Sequence, residues 1–252
     1  MGAIDDGKAA FRARVLVPPY QEEIPLRRLG GVPPPGILVV VQLGRDRIGA
    51  QDAQSLRDVI VRCRVDLGAT VLLRAPRAQE SSVFNWTRGT GVRALVPRGS
   101  APADVAWRVL PWPADLEDEW LGWLRLKVPL PNRTADVVRA LVHAEGDPSA
   151  TAAARLSHHG ISPRTARGRL RRAGLPPSGA FRLAARILLG HLWLQRDRDL
   201  PVESVAWRLG YADASGFSQA SRRMLGVAPG RARSLLGIEW RLQAWWLRYE
   251  NR

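Results

Sequence analysis

The sequence has one cysteine, Cys63, two lysines, two methionines and four histidines. A single cysteine excludes an internal disulfide; a small buried apolar side chain in a reducing compartment is the expected role for it. No stretch approaches the roughly 20 apolar residues of a membrane-spanning helix, and the first residues lack a secretory signal pattern, so no membrane association and a cytoplasmic location are expected. Without secretion, the glycosylation patterns at Asn85-Trp86-Thr87 and Asn132-Arg133-Thr134 carry no meaning. Catalytic constellations are missing as well. His158 and His159 are adjacent, so a helix turns them in different directions, and Cys63 is remote, which leaves no metal set. Gly89-Thr90-Gly91 is too short to cradle a phosphate, and no serine or cysteine stands in a nucleophile motif. No catalytic residue, metal or cofactor is expected.

What the chain has instead is arginine. Of 38 basic residues only Lys8 and Lys127 are lysine, which leaves 36 arginines. The formal net charge is +15 and the isoelectric point is near 11.5. A guanidinium fork fits phosphates and guanines better than an ammonium does. The charge is also uneven. Residues 131–252 hold 20 basic and 9 acidic side chains, the first 130 hold 18 and 14, and nine arginines but no acid lie between Pro148 and Arg196. A generally arginine-rich composition would raise both halves alike, so the asymmetry marks the second half as a polyanion-binding domain. With 252 residues, 46% of them hydrophobic, there is chain enough for two domains with real cores.

The first 110 residues read as a small α/β domain. Arg12 to Val17 is a candidate strand. Gln21 to Leu29, between Pro18-Pro19 and Pro33-Pro34-Pro35, is expected to make two helical turns. The run Gly36-Ile37-Leu38-Val39-Val40-Val41 suits a strand buried on both faces. Leu56, Val59, Ile60 and Cys63 share one side of a helix over Ala50 to Val65. Thr70 to Leu73 and Val92 to Val96 are further strands, Gln79 to Arg88 an ambiguous connection and Pro102 to Leu110 a helix. Strands alternating with helices imply βαβ units and a mainly parallel sheet. Residues 111–133, rich in proline and tryptophan, read as a docked hinge, with Leu116, Trp120, Trp123 and Leu124 on one helical face.

Residues 134–235 read as all-helical. Leu200 to Arg233 runs LPVESVAWRLGYADASGFSQASRRMLGVAPGRAR. Val202, Val205, Ala206 and Leu209 give a short amphipathic helix with Pro201 at its start, and Gly210 ends it. Asp213 can cap a second helix, Ala214 to Leu225, which Gly226 and Pro229 stop. Two helices across a short glycine turn form a helix-turn-helix. The arrangement repeats. Gly160-Ile161 matches Gly210-Tyr211 at an offset of fifty, and Ser162, Ala166 and Arg171-Arg172 match Asp213, Phe217 and Arg222-Arg223 at fifty-one. Helices are expected over Thr134 to His143, Ser149 to Ser157 and Ser162 to Arg172, with Gly179 to Gln195 as a long helix between the two units. Residues 236–252 read as an aromatic C-terminal helix carrying Ile238, Leu242, Trp245, Trp246 and Tyr249. So much aromatic surface suits packing on the first domain or pairing with a second copy.

The second stretch resembles the second helix-turn-helix of the AraC/XylS-type transcription regulators through Val205-Ala206, Gly210-Tyr211, Ser215, Phe217, Arg222-Arg223, Gly226, Pro229 and Arg233. The first unit extends the resemblance over residues 135–235. One position departs: four residues after Phe217 the family usually has a second aromatic, and here stands Ser221. It either thins the core or lies beside another side chain that fills the gap. The resemblance implies a DNA-binding transcription regulator whose partner is double-stranded DNA. By position it makes Arg164, Thr165, Arg167, Ser215 and Gln219 the base-reading residues and Arg169, Arg171, Arg172, Arg222 and Arg223 the phosphate contacts. Ala214, Ser215, Gly216 and Ser218 are short, so the first unit is expected to read sequence and the second mainly to grip backbone.

The first domain is similar to the second half of a response-regulator receiver domain, in the order strand, helix, strand, connection, GVRALVPRG, helix. Its phosphorylation chemistry would need an aspartate where Gln42 stands, a hydroxyl residue at Arg74-Ala75 and a lysine at Pro97-Arg98. Glutamine cannot form an acyl phosphate, so a phosphorylation-incompetent scaffold is expected, serving as a dimerisation or sensing domain. Two other readings compete. One is a protein-interaction adaptor with non-specific nucleic-acid binding, which Ser221, Gly168 and the small residues 214–216 favour. The other is a phosphate-switched regulator that uses Asp46 on the next loop. A homodimer through the first domain or the C-terminal helix goes with the leading reading.

Overall fold

Phe11, Ala13 and Val15 are buried and Arg12 and Arg14 exposed, the alternation of a strand with one dry side. The computed structural model describes residues 11–29, 33–44, 50–76, 83, 87, 89–97, 100 and 110–250. Two compact units alternate along the chain: Met1–Leu110 with Ser234–Gln243, and Pro111–Arg233 with Ala244–Arg252. The expected helix at 102–110 apart from Leu110, most of the connection at 79–88 and Asp46 lie outside the described residues.

In the first unit β1 (Phe11–Leu16), β2 (Glu23–Pro25), β3 (Leu38–Leu43), β4 (Thr70–Arg74) and β5 (Ala94–Leu95) form one sheet in the order β2-β1-β3-β4-β5. Strand β3 pairs parallel with β4, and β4 with β5, around helix α1 (Ala50–Val65). Strand β1 pairs antiparallel with both β2 and β3, so the sheet is mixed where a mainly parallel one was expected. The reason lies in the connections. Parallel neighbours need a long crossover, which α1 supplies between β3 and β4. Only a short turn, closed by Tyr20 N–H on the Val17 carbonyl at 2.7 Å, separates β1 from β2. The two helical turns expected over Gln21 to Leu29 are likewise corrected: Ile24 is taken up opposite Val15, leaving a single 3-10 turn at Leu26–Arg28.

The apolar run of β3 is buried on both faces, as its continuous β-branched residues demand. Val39, Val41 and Leu43 pack with Val15, Val71, Leu56, Ile60 and Cys63. Leu38 and Val40 pack on the opposite face with Leu16, Tyr20, Leu72 and Leu236. Leu236 comes from the far end of the chain. With it come Glu239 and Arg241, both fully buried. Glu239 faces Arg64 at 3.3 Å and Arg93 at 3.6 Å, and the Thr70 hydroxyl donates to it at 2.5 Å. Burial alone would push this carboxyl up, but Arg93, Arg64 and the Thr70 hydroxyl hold it below its usual range. The Tyr20 hydroxyl donates to the Gly36 carbonyl and accepts from Leu236 N–H, both at 2.7 Å.

The second unit is helical: α2 (Leu116–Lys127), α3 (Asn132–Val142), α4 (Ala152–His158), α5 (Pro163–Arg172), α6 (Ser178–Arg196), α7 (Val202–Arg208), α8 (Ala214–Leu225) and the short α9 (Pro229–Ala232). Residues 111–133, expected as a hinge, belong to this unit through α2, because Trp120 and Trp123 are fully buried in it. The Trp120 ring meets Trp245 at 5.0 Å and Phe181 at 5.9 Å, and Phe181 meets Trp245 at 4.9 Å. Trp245 lies on the last helix, α10 (Glu239–Glu250), whose residues up to Gln243 belong to the first unit. The aromatic C-terminal helix expected over 236–252 is thus this helix, divided between the two units at Gln243. No helix among the described residues is long and apolar enough to cross a membrane.

Candidate nucleic-acid interface

Helices α4 and α5 join across residues 159–162, and α7 and α8 across 209–213, with α6 between the pairs. The two turns are built alike. Gly160 and Gly210 take φ of +66° and +74°, left-handed values that glycine adopts cheaply. Ile161 N–H then bonds the Leu156 carbonyl at 2.8 Å, and Tyr211 N–H the Ala206 carbonyl at 2.9 Å. Such bonds close a helix end and reverse the chain. A capping side chain starts each following helix: Ser162 Oγ accepts from Thr165 N–H at 3.1 Å, and Asp213 from Gly216 N–H at 2.7 Å. Buried Ala166 and Leu170 hold α5 in place, as buried Phe217, Ala220 and Met224 hold α8.

With those faces committed inward, the opposite faces are fixed. Arg164, Arg167 and Arg171 are exposed at spacings of three and four, one stripe along α5. None of the three has an ion-pair partner among the described residues. Thr165 is exposed, and its hydroxyl accepts from the Ser162 hydroxyl at 2.8 Å. Arg172 donates to the Gly168 carbonyl and Arg169 to the Arg133 carbonyl, both at 3.2 Å. On α8, Ser215, Gln219 and Arg222 form a second exposed stripe with Arg223 beside it, and the Gln219 amide reaches Ser215 Oγ at 3.4 Å. The structure thus brings the six α5 residues onto one helix and Ser215, Gln219, Arg222 and Arg223 onto the other.

Three arginines of the basic half do other work, which sequence reasoning missed. Arg155 donates to the carbonyls of Glu145 and Asp147, the latter at 2.7 Å. Arg182 donates to those of Pro148 at 2.5 Å and Ala150 at 2.9 Å. Together they hold the loop between α3 and α4. Burial first, then neighbouring Arg155 and Arg186, lowers Arg182 to about 10. Arg233 donates to the carbonyls of Arg198 and of Leu200, the latter at 2.5 Å, and so holds the loop before α7. The expected helix start at Ser149 moves to Ala152 for a local reason. Ser149 N–H and hydroxyl both donate to Asp147 at 2.7 Å, and Thr151 caps α4 instead.

Ser221 is fully buried, and its neighbour is His191 of α6, at 2.8 Å. Ser221 corresponds, fifty-one residues on, to buried Leu170 in the first pair. An imidazole therefore fills the gap left by the small side chain. Gly190 lets α6 approach closely: a Cβ there would stand 2.6 Å from Leu209 Cδ1 and 2.8 Å from Phe217 Cζ.

These paired helices have the layout of a helix-turn-helix domain. Residues 156–234 match the family model for the helix-turn-helix domain, of the AraC type. The matched family is regulatory and not enzymatic. No curated protein and no solved structure matches the chain.

Proposed function

We propose that the chain is a sequence-specific transcription regulator in which α5 and α8 enter successive stretches of DNA major groove. The observation that carries this reading is the unpaired stripe Arg164–Arg167–Arg171 on a capped helix. Arginine is the commonest specific partner of guanine, each good pair giving ~1–3 kcal/mol of discrimination. Arg164 and Arg167 lie near the start of α5, the part of a reading helix that meets base edges, and Thr165 lies between them. Arg169, Arg171 and Arg172 then serve phosphates. In the second pair Ser215 and Gln219 are the only polar readers, and Arg222 and Arg223 hold the backbone. The two half-sites are accordingly read unequally.

The first unit is proposed as a scaffold and not a phosphate switch. Gln42 is exposed near the end of β3, where a phosphorylatable aspartate would be needed. The antiparallel edge made by β1 and β2 adds to the departure from a receiver. Acetyl-phosphate labelling that disappears in Asp46→Asn would reinstate the switch.

Selection of bound DNA from a random pool tests the main reading. A recovered motif, weakened in Arg164→Ala and Arg167→Ala at particular positions, is expected. Arg222→Ala should weaken all sequences alike and reduce the salt slope by about one. Binding with steep salt dependence and no motif would overturn sequence-specific regulation in favour of a general polyanion grip.

A further inference from the structure

Helix α7 presents a bare indole beside the second reading helix. Trp207 is 60% exposed, one of three exposed large apolar side chains among the described residues. Of the others, Leu247 is 48% exposed, and Trp112, though 61% exposed, has the Arg196 guanidinium over its ring at 3.3 Å. Trp207 Nε1 donates to the Ala212 carbonyl at 3.3 Å, which lays the ring along the turn that leads into α8. Ala212 immediately precedes Asp213, the cap of that helix. The indole is thus fixed beside the end of α8 that faces base edges in this kind of domain.

The two pairs exchange bulk at this place. In the first, α5 opens with Arg164 and carries Arg167, and the residue fifty positions before Trp207 is Ser157. In the second, α8 opens with Ala214, Ser215 and Gly216, and the bulk sits on the preceding helix. With its N–H already bonded, the indole offers only an apolar face. Its neighbours Glu203, Arg208, Ala212 and Asp213 are exposed, and most are charged. A lone aromatic among charges is not the contiguous apolar patch that a protein partner would cover. The apolar group that the major groove presents is the thymine C5-methyl.

We propose that Trp207 is a specificity-determining residue that packs its indole against a thymine methyl in the half-site read by α7 and α8. The inference rests on the DNA-reading function proposed above. The experiment uses the full chain and the DNA motif it selects, with each thymine of the second half-site replaced in turn by uracil, which removes only the methyl. Wild-type protein should lose about fourfold in affinity at one position, the worth of one buried methyl-sized group. Trp207→Ala should bind the thymine site about fourfold more weakly, with unchanged salt slope, and lose nothing further on the uracil exchange at that position. Trp207→Phe should recover most of the loss. Equal uracil losses in wild type and Trp207→Ala would overturn the inference while leaving DNA reading intact. So would unchanged affinity in Trp207→Ala, which would make the indole a protein-facing residue. Failure to select any motif would overturn the DNA reading, and the inference with it.

Discussion

His191 and Ser221 form a buried pair in which the imidazole is the donor. Ser221 Oγ gives its single proton to the Val227 carbonyl at 2.6 Å, so the 2.8 Å contact with His191 must run from Nε2–H to the hydroxyl oxygen. One serine thereby ties α6 to α8 and to the chain that leaves α8.

Removing that hydroxyl should be felt. Ser221→Ala strands a buried imidazole N–H and should destabilise the second unit by ~1–3 kcal/mol in denaturant unfolding. Ser221→Phe, which restores the aromatic usual in the family, should be worse alone because His191 occupies the space. His191→Ala combined with Ser221→Phe should recover stability, and a strictly additive double variant would show that the two do not share a cavity.

Gly190→Ala tests the close approach of α6. A methyl there meets Leu209, Phe217 and Val205, all fully buried. Overpacking of this kind costs ~1–3 kcal/mol. The expected readout is a lower unfolding midpoint together with weakened DNA binding. Ala at Gly168, where a Cβ has open space around it, should have neither effect.

Arginines of opposite function can be separated. Arg155→Ala and Arg182→Ala should each lower the unfolding free energy by ~1–3 kcal/mol, because part-buried carbonyls of the α3–α4 loop lose their donors. Arg171→Ala should leave stability within ~0.5 kcal/mol, as expected of an exposed side chain, and lower the salt slope of DNA binding. Equal stability for all three variants would contradict the division.

Acid should loosen the first unit through Glu239. Its folded carboxyl sits below the ordinary 4.5, so its contribution is present above that value and is lost as pH falls through the lower folded one. Glu239→Gln leaves buried Arg64 and half-buried Arg93 without their carboxylate and should cost ~3–5 kcal/mol at neutral pH. The same change should flatten the acid limb of stability against pH. Fluorescence or circular dichroism during denaturation at pH 3 to 7 would read both effects.

Where a residue's neighbours are close in sequence, the structure was legible. Leu56, Val59, Ile60 and Cys63 drew α1 at the bounds it has, and Asp213 and Ser162 marked the starts of α8 and α5. The two glycine turns followed from spacing alone. Long-range partners were not legible. An arginine in a sequence looks solvent-bound, and nothing near Arg155 or Arg182 announces the carbonyls that surround them. Glu239 and Arg241 have the look of a wet helix face, yet both are buried, and Glu239 bonds Thr70, 169 positions earlier. The sheet's antiparallel edge was missed because apolar alternation fixes which face a strand buries and not the direction of its neighbour.

The alternation of the two units along the chain also sets an order of events at the ribosome. Everything the first unit needs from its own N-terminal portion has emerged by Leu110, yet Leu236, Glu239 and Arg241 follow only after the 123 residues of Pro111–Arg233. At ordinary elongation rates that gap lasts on the order of ten seconds. During it, the sheet face carrying Leu16, Leu38 and Leu72 lacks Leu236, and Arg64 and Arg93 lack their carboxylate. The helices of the second unit can pair before the unit encoded ahead of them is finished. The nascent protein is therefore exposed to chaperones, and to misassembly, at its N-terminal end.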